Sequence, residues 1–76
     1  MNRPIGTYEH YKMVVYQYIY ATETLHLIDT LHGSKDELEK IADDLGFRYV
    51  ETQAGVDIYE SLSYKDKKIH IFKAED

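Results

Sequence analysis

The clearest pattern in the chain is the alternation of residues 12–20, KMVVYQYIY, which are rich in Val, Ile and Tyr. This period and composition predict a β-strand from Lys12 to Tyr20. Successive side chains of a strand point to opposite faces, so Met13, Val15 and Ile19 share one face, which we expect to be the core side. The opposite face carries Val14, Tyr16, Tyr18 and Tyr20.

The stretch from Thr22 to His32 fits two structures. Its leucines at 25, 27 and 31 lie on one face of a strand, whereas residues 27, 28 and 31 lie on one face of a helix. Three threonines and few strong helix formers favour a strand. The preceding turn, residues 21–24, has none of the Gly, Asn or Asp typical of tight hairpins. We therefore favour a strand slightly and leave a short helix open.

A capping box marks the start of the predicted helix. Ser34 is followed three residues later by Glu37, and in this motif the two side chains satisfy each other's backbone N–H groups. Gly46 stands where a left-handed C-terminal cap is needed. These signals predict a helix from Lys35 to Leu45. Its apolar residues recur at i, i+3, i+4 and i+7, namely Leu38, Ile41, Ala42 and Leu45.

Three further strands are predicted in the second half of the chain: Phe47–Thr52, Val56–Tyr64 and Ile69–Lys73. Residues 53–55 and the charged turn 65–68 separate them, which indicates an antiparallel meander. We predict an α+β fold, an antiparallel sheet of four or five strands with one main helix on one face. Its element order is ββαβββ, or βααβββ if residues 22–32 are helical. The second sheet face would then be open to solvent, a partner or a second subunit.

The length of 76 residues allows one domain, residues 1–76, with residues 1–7 and 74–76 as flexible ends. So small a core gains from association, because the absence of Cys excludes disulfides, and we expect a homodimer. The first residues contain no apolar run of a signal peptide or anchor. We therefore expect a cytoplasmic protein with no membrane partner.

The net charge of -5 is local, since residues 34–60 hold eight acidic and three basic side chains. The ordinary interpretation is a solvated helix face. However, Asp43 and Asp44 occupy the last helical turn, where the macrodipole favours cations. A partner with a basic surface would explain their presence. The candidate partner-binding residues are Asp36, Glu37, Glu39, Asp43, Asp44 and Glu51.

Tyrosine occurs eight times and Trp not at all. Tyr16, Tyr18 and Tyr20 share one strand face and are candidate interface residues, because tyrosine offers a large contact area and a hydroxyl that tolerates water. The alternative is that these rings build the core. Stacking of nucleic-acid bases on the tyrosines is less favoured, because the chain is acidic and the strand itself offers only Lys12 as a cation.

No pattern of catalytic residues is present. There is no Gly-x-Ser-x-Gly elbow and no glycine-rich phosphate loop, and the four histidines are scattered through the chain. Two carboxylates, Glu51 and Asp57, are placed to face each other across a hairpin, yet a sheet this small offers no deep cleft to perturb them. We predict no enzyme activity, no metal site and no cofactor.

Together these features predict a non-enzymatic acidic protein-interaction module. Its most concrete form is an inhibitor that occupies a basic surface of a nucleic-acid-handling protein, since carboxylates along a helix and sheet imitate a phosphate track. Small size and acidity are shared by many virus-encoded inhibitors and bacterial adaptor proteins, a likeness of character and not of sequence. The alternative function is nucleic-acid or small-ligand binding through the tyrosine-rich sheet face.

Overall fold

A computed structural model describes residues 10–74 as one five-stranded antiparallel sheet and one helix. Of the predicted flexible ends, residues 1–7 and 75–76 lie outside the described residues, while the Ala74 N–H donates to the His10 carbonyl at 2.9 Å. The sheet order is β2-β1-β5-β4-β3. The elements are β1 (Tyr11–Ile19), β2 (Thr24–Gly33), α1 (Lys35–Asp44), β3 (Phe47–Gln53), β4 (Val56–Ser61) and β5 (Lys67–Lys73).

The predicted α+β class and the order ββαβββ are confirmed. The ambiguous stretch is strand β2, so the helical alternative for residues 22–32 is wrong. Its leucines alternate along an edge strand that pairs with β1 from Gly33 back to Thr24. The turn before it contains no glycine, and Glu23 takes the positive φ of 55° that a glycine or asparagine would otherwise supply.

The capping box is confirmed and fixes the start of α1. The Ser34 hydroxyl accepts the Glu37 N–H at 3.2 Å, and the Glu37 carboxylate accepts the Ser34 N–H at 3.1 Å. The helix ends at Asp44, one residue earlier than predicted, with Leu45 as its C-cap. Gly46 has a φ of 87°, and its N–H donates to the Asp43 carbonyl at 3.0 Å. The chain therefore turns sharply into β3.

Two strand boundaries in the second half of the chain differ from the prediction by two residues or more. The strand from Val56 ends at Ser61 and not at Tyr64, because the Ser61 hydroxyl accepts the N–H groups of Ser63 and Tyr64 at 3.1 and 2.9 Å. A hydroxyl that binds nearby backbone offers the chain an alternative to the sheet ladder. Strand β5 begins earlier than predicted, at Lys67, which pairs with Gln17 of β1.

Helix α1 connects the two edge strands, β2 and β3, and therefore crosses one face of the sheet. Met13 and Val15 lie on this face, as predicted, in or against the core. Ile19 does not join the core among the described residues, because β5 supports β1 only as far as Gln17. The buried core cluster consists of Met13, Leu38, Ala42, Phe47, Tyr59, Ile69 and Ile71.

Candidate functional site

The sheet face opposite α1, here called the open sheet face, has no helix on it in the described part of the chain. Met13 pairs with Ile71 in the core, so the adjacent pair Val14 and His70 points the other way. Val14 is nevertheless only 2% exposed. The open face therefore has its own small apolar centre, which neighbouring side chains cover without a second layer.

The predicted row of tyrosines lies on this open face and not beneath the helix. Tyr16 contacts His70 edge-on, with ring centroids 4.9 Å apart, and Tyr18 contacts Tyr20 in the same manner at 4.8 Å. Tyr16 and Tyr18 are half-buried, whereas Tyr20 is 65% exposed. Thus the first two rings are partly packed on the sheet, and the third faces solvent.

The β1–β2 hairpin extends beyond the rest of the sheet, and we call residues 18–28 the hairpin arm. Strand β5 supports β1 up to Gln17, after which the Tyr18 N–H donates to the Asp66 carbonyl at 2.6 Å. A bulge in β2 makes Ile28 the extra residue, since Val15 pairs with Asp29 and Tyr16 with Leu27. Leu27 is 60% exposed on this arm.

Other exposed apolar residues lie at the same end of the molecule. Helix α1 ends there, and the Leu62 N–H donates to the Gly46 carbonyl at 2.9 Å, which places Leu62 beside the helix terminus. We call the hairpin arm together with residues 45 and 62–64 the arm end. It holds seven of the nine large apolar side chains that are exposed among the described residues: Tyr20, Leu25, Leu27, Ile28, Leu45, Leu62 and Tyr64.

The predicted acidic residues do not form one surface. Asp36, Asp43 and Asp44 are exposed on α1, and no ion pair within residues 10–74 involves them. The last helical turn has no basic residue. Asp43 and Asp44 therefore present uncompensated negative charge beside the arm end, at the helix terminus where the dipole is already negative.

The remaining acidic residues have other surroundings. Glu37 is held in the capping box, and the carboxylate of Glu39 lines the same pocket as Tyr59. Glu51 pairs with Ile58 and lies on the open sheet face, away from the helix. The expected contact of Glu51 with Asp57 is wrong, because a bulge at residue 50 moves Thr52 opposite Asp57.

Within residues 10–74, two ionisable side chains have shifted pKa values. Burial lowers the pKa of His70 below its ordinary value of 6.5, and the positive charge of Lys68 lowers it further. Burial also raises the pKa of Tyr59 to about 12, with smaller contributions from the negative charges of Glu39 and Asp57. Both groups are therefore neutral at neutral pH.

The structure brings together two of the histidines that the sequence leaves scattered. His10 Nε2 lies 2.9 Å from His32 Nδ1, and the two rings stack with centroids 5.0 Å apart. This contact follows from the β1–β2 register, which sets Lys12 opposite His32. Between residues 10 and 74, no three His, Asp or Glu side chains are grouped so as to hold a metal ion.

The helical segment of the described chain is too short and too polar to cross a bilayer. Comparisons with family models, with curated proteins and with solved structures find no match to this chain.

Proposed function

We propose that this protein is a non-enzymatic interaction module that binds another protein through the arm end. The observation that carries this proposal is the concentration of exposed apolar side chains there, with Tyr20, Leu27 and Leu62 each at least 60% exposed. Burial of apolar surface stabilises a complex by roughly 25 cal/mol for each Å² removed from water. Exposed apolar side chains grouped at one end of a molecule are typical of a site of protein contact.

The charge beside the arm end indicates what the partner presents. Asp43 and Asp44 each cost the isolated helix about 0.3–1 kcal/mol at low salt, because they stand at the negative end of its dipole. Lys or Arg on a partner would compensate both carboxylates. The partner we propose therefore has an apolar patch bordered by basic residues.

Inhibition of a nucleic-acid-handling protein remains the most concrete form of this proposal. Imitation of a phosphate track would rest on Asp36, Asp43 and Asp44, which are exposed along α1. Glu51 would not contribute to the track, because it lies on the opposite face of the sheet. The apolar arm end would then supply affinity, and the carboxylates would supply charge selectivity.

The first experiment compares partner capture by the native chain and by a double variant, Leu25→Thr with Leu27→Thr. Thr keeps the strand propensity but removes the apolar surface, so we expect capture to be lost while the fold is retained. Val50→Thr is the matched control, because Val50 is an exposed apolar strand residue at the other edge of the sheet. Equal capture by all three proteins would refute the proposed surface.

A second experiment tests the charge of the partner. The double variant Asp43→Lys with Asp44→Lys should lose the partner while its free energy of unfolding stays equal or increases, since Lys suits a helix C-terminus. Glu51→Lys is the control, because Glu51 is also exposed but lies on the opposite sheet face, outside the proposed track. Binding that survives the double reversal would show that the partner is not recognised by these carboxylates.

Binding of nucleic acid to the open sheet face is the alternative function. The register adds Lys68 beside Tyr16, a cation that the sequence alone did not place there. However, Lys68 Nζ lies 3.5 Å from the carboxylate of Glu60, which offsets its charge. Binding of labelled single strands at low salt, lost in Tyr16→Ala and Tyr18→Ala, would favour this alternative.

A further inference from the structure

A polar pocket lies on the helix side of the sheet, at the edge formed by β3 and β4. It is an open concavity of about 410 Å³. Register and helix direction place it towards the start of α1, away from the arm end. Its lining combines two carboxylates, two aromatic rings, a hydroxyl and an amine, from Lys35, Glu39, Tyr49, Thr52, Asp57 and Tyr59.

A chain of hydrogen bonds orients one carboxylate of this pocket. The Thr52 hydroxyl donates to Asp57 Oδ1 at 2.6 Å, because a carboxylate only accepts. The Tyr49 hydroxyl must then donate to Thr52 Oγ1, also at 2.6 Å. Asp57 Oδ2 lies 3.7 Å from Lys35 Nζ, which is too far for a hydrogen bond. This oxygen, on a side chain only 15% exposed, keeps acceptor capacity for a donor that enters the pocket.

Glu39 and the two tyrosines complete the pocket. Tyr59 is 7% exposed, and burial raises its pKa to about 12, so its hydroxyl stays protonated at neutral pH. The rings of Tyr49 and Tyr59 meet edge-to-face with centroids 5.8 Å apart. Tyr49 is exposed, so its ring forms a wall that a ligand can reach.

We propose that this pocket binds a guanidinium group, that of an arginine side chain in a peptide or protein. A guanidinium is planar and always charged, and it donates several hydrogen bonds in one plane while stacking on an aromatic face. Asp57 Oδ2 and Glu39 supply acceptors, and Tyr49 supplies the ring. Since Lys35 offsets one of the two carboxylates, the pocket carries a single formal negative charge.

Lys35 has a specific part in this proposal. Its ammonium is the pocket's own cation, and it lies 3.7 Å from Asp57 Oδ2, beyond hydrogen-bond distance. An incoming guanidinium must displace it or share the carboxylate with it. Removal of the Lys35 charge should therefore strengthen guanidinium binding, which a purely structural role of the pocket would not cause.

The arginine pocket and the arm end are separate surfaces, so this proposal goes beyond the proposed function. The variants that remove apolar side chains from the hairpin arm leave all six pocket residues in place. Arginine binding can therefore be present in a protein that captures no partner through the arm end, and the two proposals fail independently.

The test is a titration of the native chain with N-acetyl-arginine amide, followed by the NMR signals of the Thr52 and Asp57 amides and of the Tyr49 ring. We expect saturable shifts confined to the pocket. Glu39→Gln should weaken binding about fivefold, and Lys35→Gln should strengthen it by a similar factor, as for a partly exposed charge pair. Glu60→Gln is the matched control, because it removes a carboxylate of an ion pair on the opposite sheet face.

Free arginine distinguishes the source of the guanidinium. It carries an α-ammonium and an α-carboxylate in place of the neutral amides of a peptide, so a pocket that recognises the guanidinium of a peptide arginine should bind it no more tightly than N-acetyl-arginine amide. Tighter binding of free arginine would overturn the assignment to peptide arginine. The absence of saturable shifts, or affinities that Lys35→Gln and Glu39→Gln leave unchanged, would overturn the pocket itself. Lys35→Gln keeps the test decisive if Glu39→Gln impairs folding.

Discussion

At the scale of single residues, His70 on the open sheet face makes the free energy of unfolding depend on pH. Its pKa is lowered in the folded state by burial and then by Lys68, so the folded protein binds the proton less readily than the unfolded chain does. As pH falls through the unfolded value of 6.5, the unfolded state gains protons first. The free energy of unfolding therefore decreases below that pH until His70 also titrates in the folded state.

We predict that His70→Gln flattens this decline. Urea unfolding of the native chain should give a smaller free energy at about pH 5.5 than at about pH 7.5, and the variant should show less of this difference. His26→Gln is the control, because His26 is exposed on the hairpin arm. An equal pH dependence in the native chain and in His70→Gln would contradict the prediction.

At alkaline pH, Tyr59 has the opposite effect, because it makes the free energy of unfolding decrease as pH rises. Its pKa of about 12 exceeds the ordinary value of 10.0, so the unfolded state loses this proton first and stability declines between these two values. We predict a phenolate absorbance transition near pH 12 that Tyr59→Phe lacks. Tyr64→Phe, at an exposed tyrosine, should retain it. A transition that persists in Tyr59→Phe would assign the raised pKa to another residue.

At the scale of elements, the β3–β4 hairpin contains an unfavourable turn residue. Ala54 and Gly55 both have positive φ, 51° and 80°, as in a type I′ turn. An L-residue in this conformation costs roughly 1–2 kcal/mol, which asparagine partly avoids. We predict that Ala54→Asn raises the free energy of unfolding by up to about 1 kcal/mol and that Gly55→Ala lowers it. Urea unfolding measures both, and an unchanged or lower stability of Ala54→Asn would contradict this account.

The elements themselves were predictable wherever local chemistry determines them. The capping box and Gly46 fix α1 to within one residue, and the alternation of residues 12–20 gives β1. Strand β2 was ambiguous, because its leucines suit both periods and its turn lacks a glycine. Pairing with β1 along the edge of the sheet makes this segment a strand. Strand β4 ends where the Ser61 hydroxyl accepts nearby backbone N–H groups, and β5 begins where Lys67 pairs with Gln17. The local sequence pattern reveals neither contact.

The candidate sites were predictable only in part. The shared face of the tyrosines follows from strand period, and its position opposite the helix follows once the core side of β1 is known. By contrast, the bulges at residues 28 and 50 change the register by one residue, and no feature of the local sequence predicts them. The second bulge separates Glu51 from Asp57 and brings Thr52 to Asp57 instead. The arginine pocket thus depends on a single irregular position in β3.

At the scale of the whole molecule, the two ends of the sheet differ in chemistry. The arm end is apolar and lies beside Asp43 and Asp44, while the pocket end carries the carboxylates of Glu39 and Asp57. Both features suit a partner with Arg or Lys. Their separation means that one partner must span the sheet to engage both, or that two partners bind at once.

The two edge strands, β2 and β3, also differ in the number of charged side chains that they carry. Among the ten residues of β2, Asp29 is the single one that is Asp, Glu, Lys or Arg. The seven residues of β3 include two such residues, Arg48 and Glu51. Charged side chains on an edge discourage strand addition, and their scarcity leaves a row of backbone N–H and C=O groups available for pairing. An open edge of this kind admits a strand from a second copy of the chain, and the homodimer expected from the sequence stays a prediction.

We predict that the mass of the purified protein in light scattering rises towards that of a dimer as concentration increases. Leu27→Lys should hold it at the monomer mass, because a cation on the exposed part of β2 opposes both strand pairing and apolar contact. Val50→Lys, the equivalent change on β3, should leave association intact.

A monomer at every concentration would exclude self-association and leave the arm end to a different protein. Loss of the dimer only in Val50→Lys would assign the contact to β3. Since β2 contributes to the arm end, a dimer formed there would also compete with partner binding, so the two should exclude each other as concentration rises.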